Sequence, residues 1–414
     1  MKNQQLIDHL FRHQFGKMVS ILTQIFGLNH LELVEDAVQD TFIAALKTWK
    51  FKIPEDPEAW LTKAAKNRAI DLFRQMNKSK IREVKFSQES IEKEINDYFL
   101  DHEIADSQLR MIFTACHPDL QAQEQIAFAL KSIAGFSMRE IAGALLTKEE
   151  SVKKRLSRAR QRIKTQNIQF KFPEKNEIKS RLARVNEVIY LIFNEGFHSG
   201  RKDVLIRKEL CGEALRLCRL ILEKETLRND DSYALLALMC FHSSRLDSRV
   251  NENNEFVNLE NQDRTKWYKP LIDLGQRAFE KSNHSKKLST YQIEAAIAME
   301  HVTASEFKHT NWETISSLYY ALNKIHPNKF NLLNLSISLL MENKIEESKK
   351  VLAGIEEKDL EQRAYLYHST WAEYHMKNQE FYKAAESLDK AISLVKNESE
   401  RKYLIKKKND LFLN

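Results

Sequence analysis

This chain is poor in the two residues that make tight turns, with only 9 glycines and 6 prolines in 414 residues. That shortage argues against many short strands joined by sharp turns, and no convincing apolar–polar alternation marks a strand. With 43% of residues hydrophobic, long helices joined by short connections are expected, an all-α fold. Long apolar runs are missing as well. No run of 18 apolar residues occurs, so no membrane span is expected. The opening MKNQQLIDHLFRHQFGK has no apolar core of a secretory signal. Cysteine is rare, and Cys116, Cys211, Cys218 and Cys240 form no CxxC pair. Cys211 and Cys218 sit beside Leu215 and Leu222 at helical spacing, the pattern of core packing. A reduced, cytoplasmic protein is expected. Catalytic residues are missing too. Glu300-His301 comes with no nucleophile and no phosphate loop, so no enzyme and no cofactor are expected. The length allows two to four domains.

What is present in quantity is positive charge, and it is concentrated in Thr147 to Lys164, TKEESVKKRLSRARQRIK. Thr147 and Glu150 have capping-box spacing, so a helix is expected to start there. Val152, Leu156, Ala159 and Ile163 make one apolar stripe. Eight lysines and arginines cover the rest against two acids, a net +6 in a chain whose total is +7. The acids, Glu149 and Glu150, lie in the first turn, where the helix dipole favours them. Upstream, Ser137 and Glu140 form a second capping box, opening a short helix from Met138 to about Ala144 with Ile141, Ala142 and Leu145 inward. Two short capped helices, the second basic, read as a helix-turn-helix whose second helix enters the major groove. A solvated basic face on an ordinary helix gives a similar charge run; the paired boxes at this spacing favour DNA.

The first hundred residues are three amphipathic segments and a tail. Leu6 to Phe26 carries Leu10, Phe11, Val19, Leu22 and Phe26. Leu31 to Trp49 buries Val34, Val38, Phe42, Ala45 and Trp49. Its other face holds Glu32, Asp36, Gln39, Asp40, Ile43 and Lys47, which suits either a docking surface or plain solvation. Asp56-Pro57-Glu58 is an N-cap with proline at the first helical position. The helix it opens runs to about Arg74 and turns Leu61, Ala65, Ala69 and Leu72 inward. Trp60, Lys63, Asn67, Asp71 and Arg74 share another side, flanked by Lys66 and Arg68. An aromatic ring among cations and an amide is what stacking on single-stranded DNA requires, although Trp60 would serve equally as a half-buried core residue. From Asn77 to about Glu103 the chain turns acidic and loses core positions, which reads as a linker.

In this order, LVEDAVQDTF (33–42), EAWLTKAAKNRAIDLFRQ (58–75), an acidic linker and SVKKRLSRARQRI resemble a sigma-70-type transcription initiation factor. The likeness is to the extracytoplasmic-function group, which keeps only regions 2 and 4, and it covers about residues 6 to 166. The resemblance implies an RNA polymerase sigma factor, with core RNA polymerase and promoter DNA as partners. It implies that Asp36, Gln39, Asp40 and Phe42 dock on polymerase. It implies that Trp60, Lys63, Asn67, Arg68, Asp71 and Arg74 melt and read the −10 element, and that Ser151, Lys153, Lys154, Ser157, Arg158 and Arg162 read the −35 element. The acidic linker resembles the segment threaded into the polymerase RNA channel. Domains are therefore expected at 1–78 (region 2), 79–105 (linker) and 106–167 (region 4). Region 4 opens here with Cys116-His117-Pro118, where many relatives have Leu-Pro. No second ligand pair lies at a usable spacing, so no metal is expected.

Beyond residue 167 the chain resembles a subgroup with a long helical extension carrying tetratricopeptide-like repeats. The segments that carry this likeness are LIFNEGF (191–197), LENQDRTKW (259–267), YQIEAAIAMEH (291–301) and NWETISSLYYAL (311–322). Residues 175–290 are expected to be helical without visible repetition, and 291–414 to be repeats. Helix pairs at about Phe330–Met341 with Ile345–Ile355, and Leu360–Met376 with Glu380–Val395, are joined at Asn343 and Asn378, 35 positions apart. Asn tolerates the left-handed conformation such turns need, and a period near ~34 residues is the tetratricopeptide spacing. Asn397 and Glu400 cap a last helix with a face of Lys402, Lys406, Lys407 and Lys408, expected to solubilise the end of the stack. Asn194, Glu195, Glu260, Gln262, Asp263 and Arg264 are candidates for a buried ring, either a hydrogen-bond network or a ligand site. The extension is expected to regulate the first half in cis, as a positive requirement rather than an inhibitor, with a protein or peptide as its possible partner. The rival readings are a DNA-binding response regulator, and a small-molecule sensor or enzyme housed in residues 175–414.

Overall fold

The computed structural model describes residues 2–76, 101–145, 147–198, 205–253, 255–284 and 288–412. Among them the regular structure is helical, and the only β pairing is an isolated antiparallel bridge between Val250 and Phe256. The chain divides into two compact units. The first comprises Met1–Asn194 and Gly212–Leu227, the second Glu195–Cys211 and Arg228–Asn414.

In the first unit, α1 (Lys2–Phe26), α2 (Leu31–Thr48) and α3 (Pro57–Met76) pack together. The stripe Val34, Val38, Phe42, Ala45 and Trp49 is buried, as its spacing requires. Asp56 starts α3 by accepting from the Ala59 N–H at 2.9 Å. Next come α4 (Asp101–Ala115), α5 (Ala122–Ser132), α6 (Met138–Ala144) and α7 (Glu149–Thr165). Residues 101–105 of the expected linker are thus the first turn of a helix; 77–100 lie outside the described residues. Two glycines let α1 approach the α5–α6 corner. A Cβ on Gly16 would stand 2.0 Å from the Ile133 carbonyl oxygen, and one on Gly135, at φ +64°, 2.8 Å from the Phe15 ring.

The same unit takes in the start of the extension. Parts of α8 (Lys175–Phe197) and α9 (Lys208–Glu223) belong to it. Arg181 donates to the Phe113 carbonyl at 3.4 Å, Arg216 to Gln108 at 3.1 Å, and Lys224 pairs with Asp106 at 2.6 Å. These three contacts hold α4. Cys116 is buried at the end of that helix, and burial pushes its thiol up to about 12. Its neighbour His117 turns its Nδ1 to the Asp119 N–H at 3.3 Å.

The second unit holds α10 (Asp230–Ser244), α11 (Lys269–Glu280), α12 (Thr290–Thr303), α13 (Trp312–Ile325), α14 (Lys329–Met341), α15 (Ile345–Ala353), α16 (Ala364–Lys377), α17 (Phe381–Leu394) and α18 (Glu398–Asp410). Helices α14 with α15, and α16 with α17, are successive hairpins, close to the expected positions. Asn343 takes the left-handed conformation at φ 65° as expected. In the second hairpin Gln379 does so at φ 61°, while Asn378 keeps φ −88° as the C-cap of α16. Asn397 caps α18, accepting from Ser399 and Glu400 at 3.0 and 3.2 Å. Its lysine face is only half free: Lys407 pairs with Glu373 and Lys408 with Asp389, whereas Lys402 and Lys406 are exposed.

Candidate nucleic-acid interface

The α6–α7 pair is built from its caps. The Glu140 N–H donates to Ser137 Oγ at 3.2 Å, and the Ser137 N–H returns a bond to Glu140 at 2.8 Å. The second expected box does not form. Lys148 is the N-cap of α7 and gives no side-chain cap. Thr147 lies one residue further out, and its N–H closes the preceding helix on the Ala142 carbonyl at 2.8 Å. With no hydroxyl cap, Glu149 and Glu150 supply the negative charge that the first turn favours.

Helix α7 divides cleanly by face. Val152, Leu156, Ala159 and Ile163 are buried. Lys153, Lys154, Ser157 and Arg158 are exposed together on the outer side, with Ser151 half-buried at its edge. Among the described residues Lys154 is paired with Glu150 alone, at 3.2 Å on the same helix, a solvated i,i+4 contact of little strength. Two cations of the helix turn inward instead. Arg162 lies 3.1 Å from the buried Glu124, which separates it from the outer group it was expected to join. Arg160 reaches across to α2, with Nη1 2.7 Å from Glu32 and Nη2 2.7 Å from Glu35. Glu35 is 3% exposed, and its other oxygen accepts from the Ser132 hydroxyl at 2.7 Å. Sequence reasoning missed this pair. Its one signal is that Glu35 sits between Val34 and Val38, next to the buried stripe.

On α3, Lys63, Asn67 and Asp71 are exposed. Trp60 is half-buried and packs edge-on against Trp49, ring centres 5.4 Å apart. Arg68 is bound to Asp40 of α2 at 2.9 Å, which joins a residue of the expected −10 surface to one of the expected docking surface. The Arg74 side chain lies outside the described residues. On α2, Asp36 and Asp40 are exposed and Gln39 is half-buried. Phe42 faces inward, 3% exposed and 5.0 Å from the Phe11 ring, so it supports the helix and offers no outward contact.

The polar islands of the extension do not close into one buried ring. Within the second unit Glu195 is buried 3.7 Å from Arg207, and Gln262 is buried, but Glu260 and Asp263 are exposed. Asp263 instead caps a short turn through Thr265, and those hydrogen bonds lower its pKa. Asn194 falls in the other unit.

Comparison with known proteins matches the chain segment by segment. Residues 10–79 match "Sigma-70 region 2", and residues 110–163 match "Sigma-70, region 4". Residues 181–283 match a family of unknown function, DUF6596. An uncharacterised protein of Rhizobium meliloti (strain 1021) is 33% identical over 397 residues, covering 94% of this chain and 93% of its own length. No solved structure matches the chain.

Proposed function

The chain belongs to the sigma-70 family, as an extracytoplasmic-function type with a C-terminal extension, and we propose that it works through three surfaces. It is an RNA polymerase sigma factor: it binds core polymerase and promoter DNA for transcription initiation, and is not itself an enzyme. The first proposed surface is the outer face of α7, where Lys153, Lys154, Ser157 and Arg158, with Ser151 at the edge, meet the −35 element. The exposed cations on that face carry the reading, because they lie opposite a fully buried stripe and face solvent, where phosphate or guanine edges would meet them. The second is the side of α3 bearing Trp60, Lys63, Asn67, Arg68 and Asp71, proposed to open and read the −10 element by stacking and by contact with phosphates. Residues 79–100, ahead of the helix that starts at Asp101, are proposed to link the two DNA-reading regions. The third is the exposed end of α2 around Asp36, Gln39 and Asp40, proposed to dock on core polymerase.

We propose further that the extension acts in cis as a requirement for activity. The contacts of Arg181, Arg216 and Lys224 with α4 support this, since they tie the extension to the helix that opens region 4. The two successive hairpins of α14–α17 support a tetratricopeptide-like stack, whose concave side would take a protein or peptide. No described helix is long and apolar enough to cross a membrane, and a factor acting on polymerase is proposed to work in the cytoplasm. Run-off transcription with purified core polymerase and the full chain tests the whole reading: promoter-dependent transcripts are expected, and their absence on every promoter tried by selection would sink it.

A further inference from the structure

Within the second unit, the ends of two helices and one turn bring cations and imidazoles together. His242 lies on the last turn of α10, with Arg245 and Arg249 just beyond it; Arg264 and Trp267 come from the 264–267 turn, and His301 from the last turn of α12. Arg245 Nη2 is 3.4 Å from His242 Nδ1, and its Nη1 reaches Gln262 Oε1 only at 3.5 Å. Arg264 donates to the carbonyls of His301 and Ala304 at 2.8 and 2.7 Å and lies 4.4 Å over the Trp267 ring. Arg249 donates to the Phe197 carbonyl. The guanidinium groups of Arg249 and Arg245 stand 3.8 and 5.3 Å from the centre of the Phe197 ring.

Among the described residues, the charges that act on Arg245, His242 and His301 are all of one sign. Burial first, then Arg249 and Arg264, pull Arg245 down to about 9. Burial, Arg245 and Arg264 pull His301 down to about 3. His242 is lowered by burial, Arg245, Arg249 and His301. Among the described residues the one carboxylate acting on the cluster is Glu400, and it acts on Arg249 alone while accepting from Tyr365 at 3.0 Å. Three nitrogens are also buried without a partner: Arg264 Nη2, His301 Nδ1 and Trp267 Nε1. A buried cation or donor left unanswered is costly, so such a cluster persists where something else answers it. His242, Arg245, Arg264 and His301 are half-buried, so part of each residue borders solvent while their donor ends point inward.

We propose that this cluster binds a small phosphate-bearing anion with at least two negative charges. Such a group offers several acceptor oxygens for the guanidinium and imidazole donors, and enough charge to offset more than one arginine. Phe197 and one face of Trp267 are already covered by arginines, which favours the phosphate over a stacked nucleobase as the recognised group. The site lies outside every surface assigned to polymerase or DNA, and binding to it does not depend on those assignments.

The test is calorimetric titration of the full chain with inorganic pyrophosphate and with glycerol phosphate, against sodium chloride at matched ionic strength. Saturable binding of one or both phosphates is expected, with a rise in unfolding midpoint; the preferred one tells free polyphosphate from a phosphate ester. Arg245→Met and Arg264→Gln should each weaken it about 10-fold or more, whereas Lys153→Ala, on the basic face of α7, should leave it intact. Without ligand, Arg245→Met should unfold no earlier than the native chain, because an unanswered cation has been removed. Heats no larger than those of the salt control would overturn the proposal. So would native affinity in both arginine variants, or affinity weakened equally in Lys153→Ala. If Arg245→Met does not fold, Arg264→Gln alone decides between site and structural network.

Discussion

Arg160 of α7 and Glu35 of α2 meet at 2.7 Å, 125 residues apart in the chain, and the same guanidinium also binds Glu32. The pair ties the helix proposed to read the −35 element to the helix proposed to dock on polymerase. Arg12 strengthens the closure, donating to Glu140 at 2.7 Å and to the Gly135 carbonyl at 3.2 Å. Regions 2 and 4 therefore share one compact unit. A unit of that size has a radius of gyration of about 17 Å and is roughly 45 Å across. The −10 and −35 elements lie about 25 base pairs apart, roughly 85 Å of B-DNA. If α3 and α7 meet the two elements together, as proposed, one closed unit does not span that distance, and these contacts are expected to part on the promoter.

Arg160→Ala should therefore loosen the free protein. Glu35 would remain buried with Ser132 as its partner, while Arg160 is partly solvated, so the cost falls between those of buried and surface pairs, about 2 kcal/mol. Fluorescent labels at the exposed positions Lys47 and Lys164 should report a short distance in the free native chain. The distance should grow when core polymerase is added, and should be longer in Arg160→Ala before any polymerase is present. An unchanged distance on polymerase binding would refute the opening.

Lys154 and Arg158 are expected to touch the −35 DNA. If Arg158 reads a guanine edge, Arg158→Ala should lose about 1–3 kcal/mol at that base and tolerate other bases there. If both residues meet only phosphate, the double alanine variant should bind all sequences more weakly, with a salt slope flatter by roughly 1 for each phosphate no longer neutralised. Normal transcription from the same promoter would dismiss both versions.

The docking surface is best probed at Asp36. Asp40 is bound to Arg68, so reversing its charge would also release a residue of the proposed −10 surface. Asp36 is exposed on the same helix, and Asp36→Lys should leave stability within about 0.5 kcal/mol of native. It should weaken core polymerase binding in a pull-down while leaving region 4 DNA contacts unchanged. Native retention on polymerase would remove Asp36 from the surface.

What the sequence made legible was local. Ser137, Asp56 and Asn397 announce their helices because a cap is decided within three residues. The buried stripes of α2 and α7 follow from periodicity alone. Thr147 misled because Lys148, one residue on, also fits the extended cap conformation. Gln379 replaced Asn378 at the left-handed position because α16 runs on to Lys377, which makes Asn378 its C-cap. Charge pattern could not tell Arg158, which faces solvent, from Arg160 and Arg162, which are drawn to Glu35 and Glu124. That distinction rests on partners distant in sequence, as do the cations gathered around Arg245.

The cis requirement calls for a carefully chosen truncation. A cut after Gln169, at the end of region 4, would remove α8 and α9 from the first unit. It would strip Arg181 from the Phe113 carbonyl, Arg216 from Gln108 and Lys224 from Asp106. Inactivity of that fragment would report a damaged core and leave regulation unaddressed. A cut after Leu227 keeps every residue of the first unit and removes Arg228 onward. The 1–227 fragment is expected to keep the far-ultraviolet helical signal and unfolding transition of the first unit. Its run-off transcription should fall about 10-fold or more, within the range of ordinary coupling between sites. Greater output than the full chain would mean that residues 228–414 restrain the factor. Equal output from a folded fragment would leave them no part in transcription, because a requirement removed in full has to register in the rate of the step it supports.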